Sequence, residues 1–303
     1  MPQQKERGRP EKKEPIDIIK QTGIAALQRA FTVHNTLGRD GLTTVRTNDH
    51  GDTALKADVG CESAVLDVLR EKGLPIVVHS EEHGITKIGS KPSRYLGVLD
   101  GIDGTAVYKE QFGKGSYATL FGIFEGENPI YDDWLFSGIM AHASGELLYA
   151  IKGQEASVLN LTDGTTKPLP RIDTASPDDP KWKKLVASTE LDPYLGMTMI
   201  GDMLKKLPSD FDIRGDLSSA VACYLDVLRG ERAGFIDGTR KLNLEMAATH
   251  GLVRSLGGVT MTLDGHEIGD QEYLILGQGK NHIPVITAAS EPFAHQLIER
   301  VSV

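Results

Sequence analysis

The chain has 303 residues, 33 Lys and Arg against 42 Asp and Glu, and a formal charge of −9. At 40% hydrophobic and 25% charged residues it has the profile of a globular chain that can bury a core without staples. Acidity argues against broad nucleic-acid binding, and no apolar run nears the ~20 residues of a membrane helix. Cys61 and Cys223 are too few for a disulfide framework. The polar start from Met1 to Glu14 shows no secretory signal, so the expectation is a reduced, cytoplasmic enzyme.

Residues 1–14 read as a disordered, solvated tail. Arg7-Gly8-Arg9-Pro10 matches the core of a minor-groove-binding pattern, but Glu11 breaks the basic run, and nucleic acid is not an expected partner. From Pro15 to Leu37, Ile16, Ile19, Leu27 and Phe31 recur at helical spacing, and Gly38 ends the helix. A second helix is expected over 58–72, with Cys61, Val65, Val68 and Leu69 on one face and Gly73 as its stop. Apolar runs at 75–79 and 95–99 predict strands that end at Ser80-Glu81-Glu82 and at Asp100. Runs at 117–124, 130–140 and 147–151 follow in hairpin-like succession.

The stretch 159–183, rich in Thr, Asp, Pro and Gly, lacks periodicity and is read as a linker between subdomains. Beyond it, strands at 185–188, 211–214, 233–237, 273–276 and 284–288 alternate with helices at 195–207, 217–228, 244–256 and 291–301. The expected fold is therefore an N-terminal α+β part, 15–158, joined to a C-terminal α/β part, 184–303.

The sharpest local feature is Asp100-Gly101-Ile102-Asp103-Gly104-Thr105, which follows an apolar strand. In a tight turn two aspartates three apart can face one spot. Two like charges that close ask for a cation or a raised pKa. Carboxylates are hard oxygen ligands of the kind Mg2+ prefers, and the Ile102 carbonyl adds another. Amides after Gly104 can hold a phosphate if a helix begins there. The same residues also suit an ordinary surface turn. Glu81 and Glu82 close a strand upstream. Asp58 stands near a helix start, where it suits a cap, and Glu245 lies in the first turn of a helix that Asn243 is placed to cap.

Taken in order, these blocks resemble the inositol monophosphatase and fructose-1,6-bisphosphatase superfamily of magnesium-dependent, typically lithium-sensitive phosphatases. Leu55-Lys56-Ala57-Asp58 is similar to the family's Thr-Lys-Ala-Asp, Ser80-Glu81-Glu82 to its Gly-Glu-Glu, and Asp100 to Thr105 to its Asp-Pro-Ile-Asp-Gly-Thr. Ser218-Ser219-Ala220, Asp237 and Glu245-Met246-Ala247-Ala248 fall where further family blocks lie. Gly101 replaces the signature proline, Ala106-Val107-Tyr108 replaces a polar-Asn-Phe sequence, and Leu244-Glu245 replaces Trp-Asp. The bisphosphatase branch carries glutamate at that last ligand position.

The resemblance implies a layered α-β-α-β-α sandwich, a homodimer, and hydrolysis of a small phosphate ester with two or three Mg2+ ions. It implies metal ligation by Glu81, Asp100, the Ile102 carbonyl, Asp103 and Glu245, with Asp58 near a weaker third ion. Glu81 and Thr105 would direct the attacking water. Gly104 and Thr105 would grip the phosphate, and Ser218, Ser219, Ala220 and Asp237 would face the leaving group. The expected substrate is a small polyol or sugar phosphate. The alternatives are a 3′-phosphoadenosine 5′-phosphate-type nucleotide phosphatase and a non-catalytic member that binds a phospho-ligand or partner protein. A nucleic-acid role for the 7–10 segment is a further rival.

Overall fold

The computed structural model describes residues 16–47, 53–174, 184–188, 205, 212–216, 219–237, 243–276 and 284–301. The 1–14 tail, Pro15, Ser218 and most of the expected 195–207 helix lie outside them.

Two sheets organise the chain. The larger has eight strands in the order β10-β9-β8-β7-β6-β5-β3-β4. They are β3 (Ile76–Ser80), β4 (Gly84–Ile88), β5 (Tyr95–Asp103), β6 (Ala118–Glu125), β7 (Trp134–Ala141), β8 (Glu146–Ile151), β9 (Ser157–Asn160) and β10 (Thr166–Pro168). The smaller has five in the order β12-β11-β13-β15-β14: β11 (Lys184–Ser188), β12 (Asp212–Asp216), β13 (Gly234–Asp237), β14 (Val259–Thr262) and β15 (Val285–Ala288). A hairpin of β1 (Thr44–Thr47) and β2 (Thr53–Leu55) stands apart.

Strand alternation gives the large sheet two apolar faces. Tyr95, Leu99, Phe121, Phe136, Met140 and Leu147 pack with α1 (Ile16–Leu37) and α2 (Lys56–Lys72). Leu96, Val98, Leu120, Phe124, Ile139 and Leu148 join the other core. That core also holds α4 (Ala220–Leu228), α5 (Leu244–Ser255) and strands β13, β14 and β15 of the small sheet. Helix α7 (Glu291–Val301) packs on β14 and β15 and completes the α-β-α-β-α order. Ser137 ties β7 to α5: its hydroxyl donates to the Ala248 carbonyl and accepts the Leu252 N–H at 3.2 Å.

Three expectations change in the scaffold, and a fourth at the site below. The 159–183 stretch begins not as a linker but as the edge hairpin β9–β10, paired antiparallel. Its turn-forming residues serve that hairpin: Asn160 Oδ1 accepts the Thr162 N–H at 2.8 Å, and Asp163 Oδ1 accepts the Thr165 N–H at 2.8 Å. Residues 273–276 form not a strand but one helical turn, α6 (Tyr273–Leu276), closed by the Leu276 N–H on the Glu272 carbonyl at 3.0 Å. Asn243 makes no side-chain cap to α5; it takes a left-handed conformation with φ 46°.

Candidate active site

The carboxylates gather because β3 and β5 run parallel, with Ser80 opposite Leu99. Their C-terminal ends therefore share one edge of the sheet, which brings Glu81 alongside Asp100. Asp100 to Asp103 do not make the expected tight turn. They continue β5, with Asp100 opposite Leu120 and Asp103 opposite Ala118, so the ladder shifts between them. In a regular strand, residues three apart point to opposite faces. One extra residue on β5 restores Asp103 to the side of Asp100.

Helix α5 supplies the third acid. One ligand oxygen from each of Asp100, Asp103 and Glu245 lies within 4.8 Å of the others, and all three residues are buried. Asp103 is oriented by the start of α4: its Oδ2 accepts the Val221 N–H at 2.7 Å and lies 3.0 Å from Ser219 Oγ. Ser219 Oγ also sits 3.0 Å from the Ser116 carbonyl and accepts the Ala222 N–H at 3.2 Å. Gly104 has φ 82°, and a Cβ there would stand 2.8 Å from Ser219 Oγ. Both facts require glycine where β5 hands over to α3 (Thr105–Glu110). The Thr105 hydroxyl donates to the Ile102 carbonyl at 3.0 Å.

Like charge is concentrated among buried side chains. Burial first, then the charges of Glu81, Asp103, Glu245 and Glu62, holds the Asp100 carboxyl well above the usual carboxylate range. Burial pushes Asp58 up to about 8, against the lowering effect of the Leu55 N–H and with Glu82, Glu81 and Glu62 adding to the rise. Asp58 Oδ2 accepts that N–H at 2.6 Å, while its Oδ1 is buried with no hydrogen-bond partner. An all-oxygen donor set with an orphaned buried oxygen fits a hard cation such as Mg2+.

Of the other expected residues, Asp237 is buried at the end of β13, close enough for its charge to act on Tyr131 and Tyr224. Ala220 is buried at the first position of α4. Sequence reasoning missed Glu62, one turn beyond Asp58 on α2. It is fully buried and accepts the Glu82 and His83 N–H groups at 3.0 Å each, together with His83 Nδ1 at 2.7 Å. The four-residue spacing from Asp58 was the available signal. It also missed Thr119, a hydroxyl inside the apolar β6.

The sequence pattern of the inositol monophosphatase family matches residues 14–297. No individually curated protein matches the chain. Among solved structures, the extragenic suppressor protein suhB of Bartonella henselae superposes with a TM-score of 0.71 at 17% identity, over 93% of this chain and 98% of its own. An inositol monophosphatase from Zymomonas mobilis superposes at 0.68 with 18% identity, over 96% and 100%. A dual-specific inositol monophosphatase/NADP phosphatase bound to D-inositol-1-phosphate superposes at 0.66 with 17% identity, over 94% and 96%. No helix among the described residues is long and apolar enough to cross a membrane.

Proposed function

Because this chain belongs to the inositol monophosphatase family and is a phosphomonoesterase of it, we propose that it hydrolyses a small polyol or sugar phosphate with Mg2+. The observation that carries the reading is the set of three buried carboxylates, Asp100, Asp103 and Glu245, with oxygens within 4.8 Å of one another. Mg2+ held by Glu81, Asp100, the Ile102 carbonyl, Asp103 and Glu245, with Asp58 at the margin for a third ion, would neutralise phosphate charge and acidify a water.

The chain's own groups do the rest. The Thr105 hydroxyl spends its proton on the Ile102 carbonyl, so toward a water it acts as acceptor and fixes the orientation. Glu81, half-buried at the end of β3, is the group that takes the proton as the water attacks phosphorus. The Gly104 and Thr105 amides hold the phosphate oxygens. Ser219, Ala220 and Asp237 face the departing alkoxide, which takes its proton from solvent water. No covalent intermediate is required, since phosphoryl transfer asks chiefly for positioning and charge neutralisation. A homodimer belongs to the same proposal and rests on the family resemblance.

Phosphate release from myo-inositol 1-phosphate, fructose 1,6-bisphosphate and 3′-phosphoadenosine 5′-phosphate, with and without Mg2+, tests it. Mg2+-dependent release with preference for one of the first two is expected. Preference for the nucleotide would reassign the substrate class. Silence on all three, with Mg2+ shown to bind, would turn the reading toward a binding role.

A further inference from the structure

The bulge that aligns Asp100 with Asp103 interrupts the ladder between β5 and β6, and the residue of β6 facing the gap is Thr119, between Leu120 and Ala118. Its Oγ1 lies 2.6 Å from the Gly101 carbonyl. A side-chain bond thus takes the place of the ladder at the point where the bulge leaves the backbone unsupported.

The same oxygen lies 2.9 Å from His142 Nε2. A carbonyl cannot donate, so the hydroxyl proton goes to Gly101 and the imidazole must donate Nε2–H to Thr119. That tautomer leaves Nδ1 with a lone pair. His142 Nδ1 is buried without a partner, where an N–H would be an unsatisfied donor, so the two observations agree. His142 is packed in place by His34, their ring centroids 4.1 Å apart and 24° from parallel, and by Phe31 and Tyr117 at 6.1 and 6.0 Å. The bulge is also clamped by α2: a Cβ on Gly101 would stand 2.3 Å from the Asp58 carbonyl oxygen.

We propose that Thr119 and His142 are positioning residues of the carboxylate cage, acting as a relay that fixes the Gly101 carbonyl and so the spacing of Asp100 and Asp103. The proposal rests on the metal-site reading above. Neither residue touches substrate; they set the geometry of the groups that would hold the cation. His142 supplies direction to the Thr119 hydroxyl, and the stacked His34 ring supplies direction to His142.

The test uses the full chain and two readouts that do not need turnover. The 15N resonances of the His142 ring should report the neutral Nε2–H tautomer in the wild type. Calorimetric titration should show Mg2+ binding weakened by about tenfold in Thr119→Val, which keeps the shape and loses the bond, and largely restored in Thr119→Ser. At saturating Mg2+, KM for the phosphate ester should stay within about twofold of wild type, because the phosphate-holding amides are untouched. An Nδ1–H tautomer, or Thr119→Val binding Mg2+ like wild type, overturns the relay. If Thr119→Val does not fold, the tautomer decides by itself. A wild-type chain that binds no divalent cation instead removes the metal-site reading, and the relay's role with it.

Discussion

At its first turn helix α5 places Glu245 beside Asp100 and Asp103. Near its last it places His250 and Arg254 against Asp132, at 3.0 and 3.8 Å, with Arg254 also 2.9 Å from Glu267. One helix of twelve residues thus meets acids at both ends, under opposite conditions. The Asp132 carboxyl is held below its ordinary range, first by the hydrogen bond from His250 and then by neighbouring positive charge, against partial burial. Asp100 is driven the other way by burial and four acidic neighbours. The distal end is a set of acids matched to donors, of the kind that holds a surface together. The proximal end is a set of acids matched to one another, which costs stability unless a cation arrives.

The largest expected effect breaks the proximal end. Asp103→Asn should keep the acceptor for Val221 N–H while losing the charge. Turnover should fall by more than about a hundredfold with the unfolding midpoint close to wild type. Steady-state rates beside a thermal melt check this, and wild-type activity would remove Asp103 from the metal set. Next comes Gly101→Ala, whose new methyl meets the Asp58 carbonyl. It should destabilise by about 1–3 kcal/mol in urea unfolding and weaken Mg2+ binding in the same protein.

A subtler contrast is electrostatic. Asp58 has a pKa raised in the fold from 3.8 to about 8, so the folded chain binds that proton more tightly than the unfolded one. Its contribution is fully present below about pH 4 and is lost as pH rises through about 8. In EDTA, the melting temperature of wild type should therefore drop more between pH 5 and pH 9 than that of Asp58→Asn, and Mg2+ should reverse the difference. Equal slopes would mean that Asp58 carries no such burden. Smallest is the distal end: Arg254→Ala should cost about 0.5 kcal/mol, since both its partners are over a third exposed, and leave kcat unchanged. A drop in kcat there would show that the two ends of α5 are coupled.

The acids themselves were legible in the chain because each sits at an element end in a recognisable order: Glu81 after one strand, Asp100 and Asp103 in the last residues of another, Glu245 at a helix start. Both helices of the first layer could be read from their apolar spacing, and Gly73 ends α2 in the left-handed conformation expected of a stop. The supports were not legible. Thr119 meets Gly101, and His142 meets Thr119, only through strand register, a non-local property no window of sequence contains. The bulge was mistaken for a turn because Asp and Gly suit both. Tyr273 to Leu276 looked like a strand because four apolar residues between polar neighbours carry no period of their own, and their conformation is decided by contacts such as the Tyr273 N–H on the Pro129 carbonyl at 3.0 Å.

The bulge in β5 makes this site a matter of counting. Three steps along β5, from Asp100 to Asp103, are matched by two along β6, from Leu120 to Ala118. Removing one residue from that stretch would leave a regular ladder and every neighbouring side chain chemically intact, yet it would turn one aspartate to the far side of the sheet. The segment should accept changes of identity at Ile102 far more readily than any change in its length. Insertions and deletions there, rather than substitutions, are the lesions that would separate a folded chain from a working one.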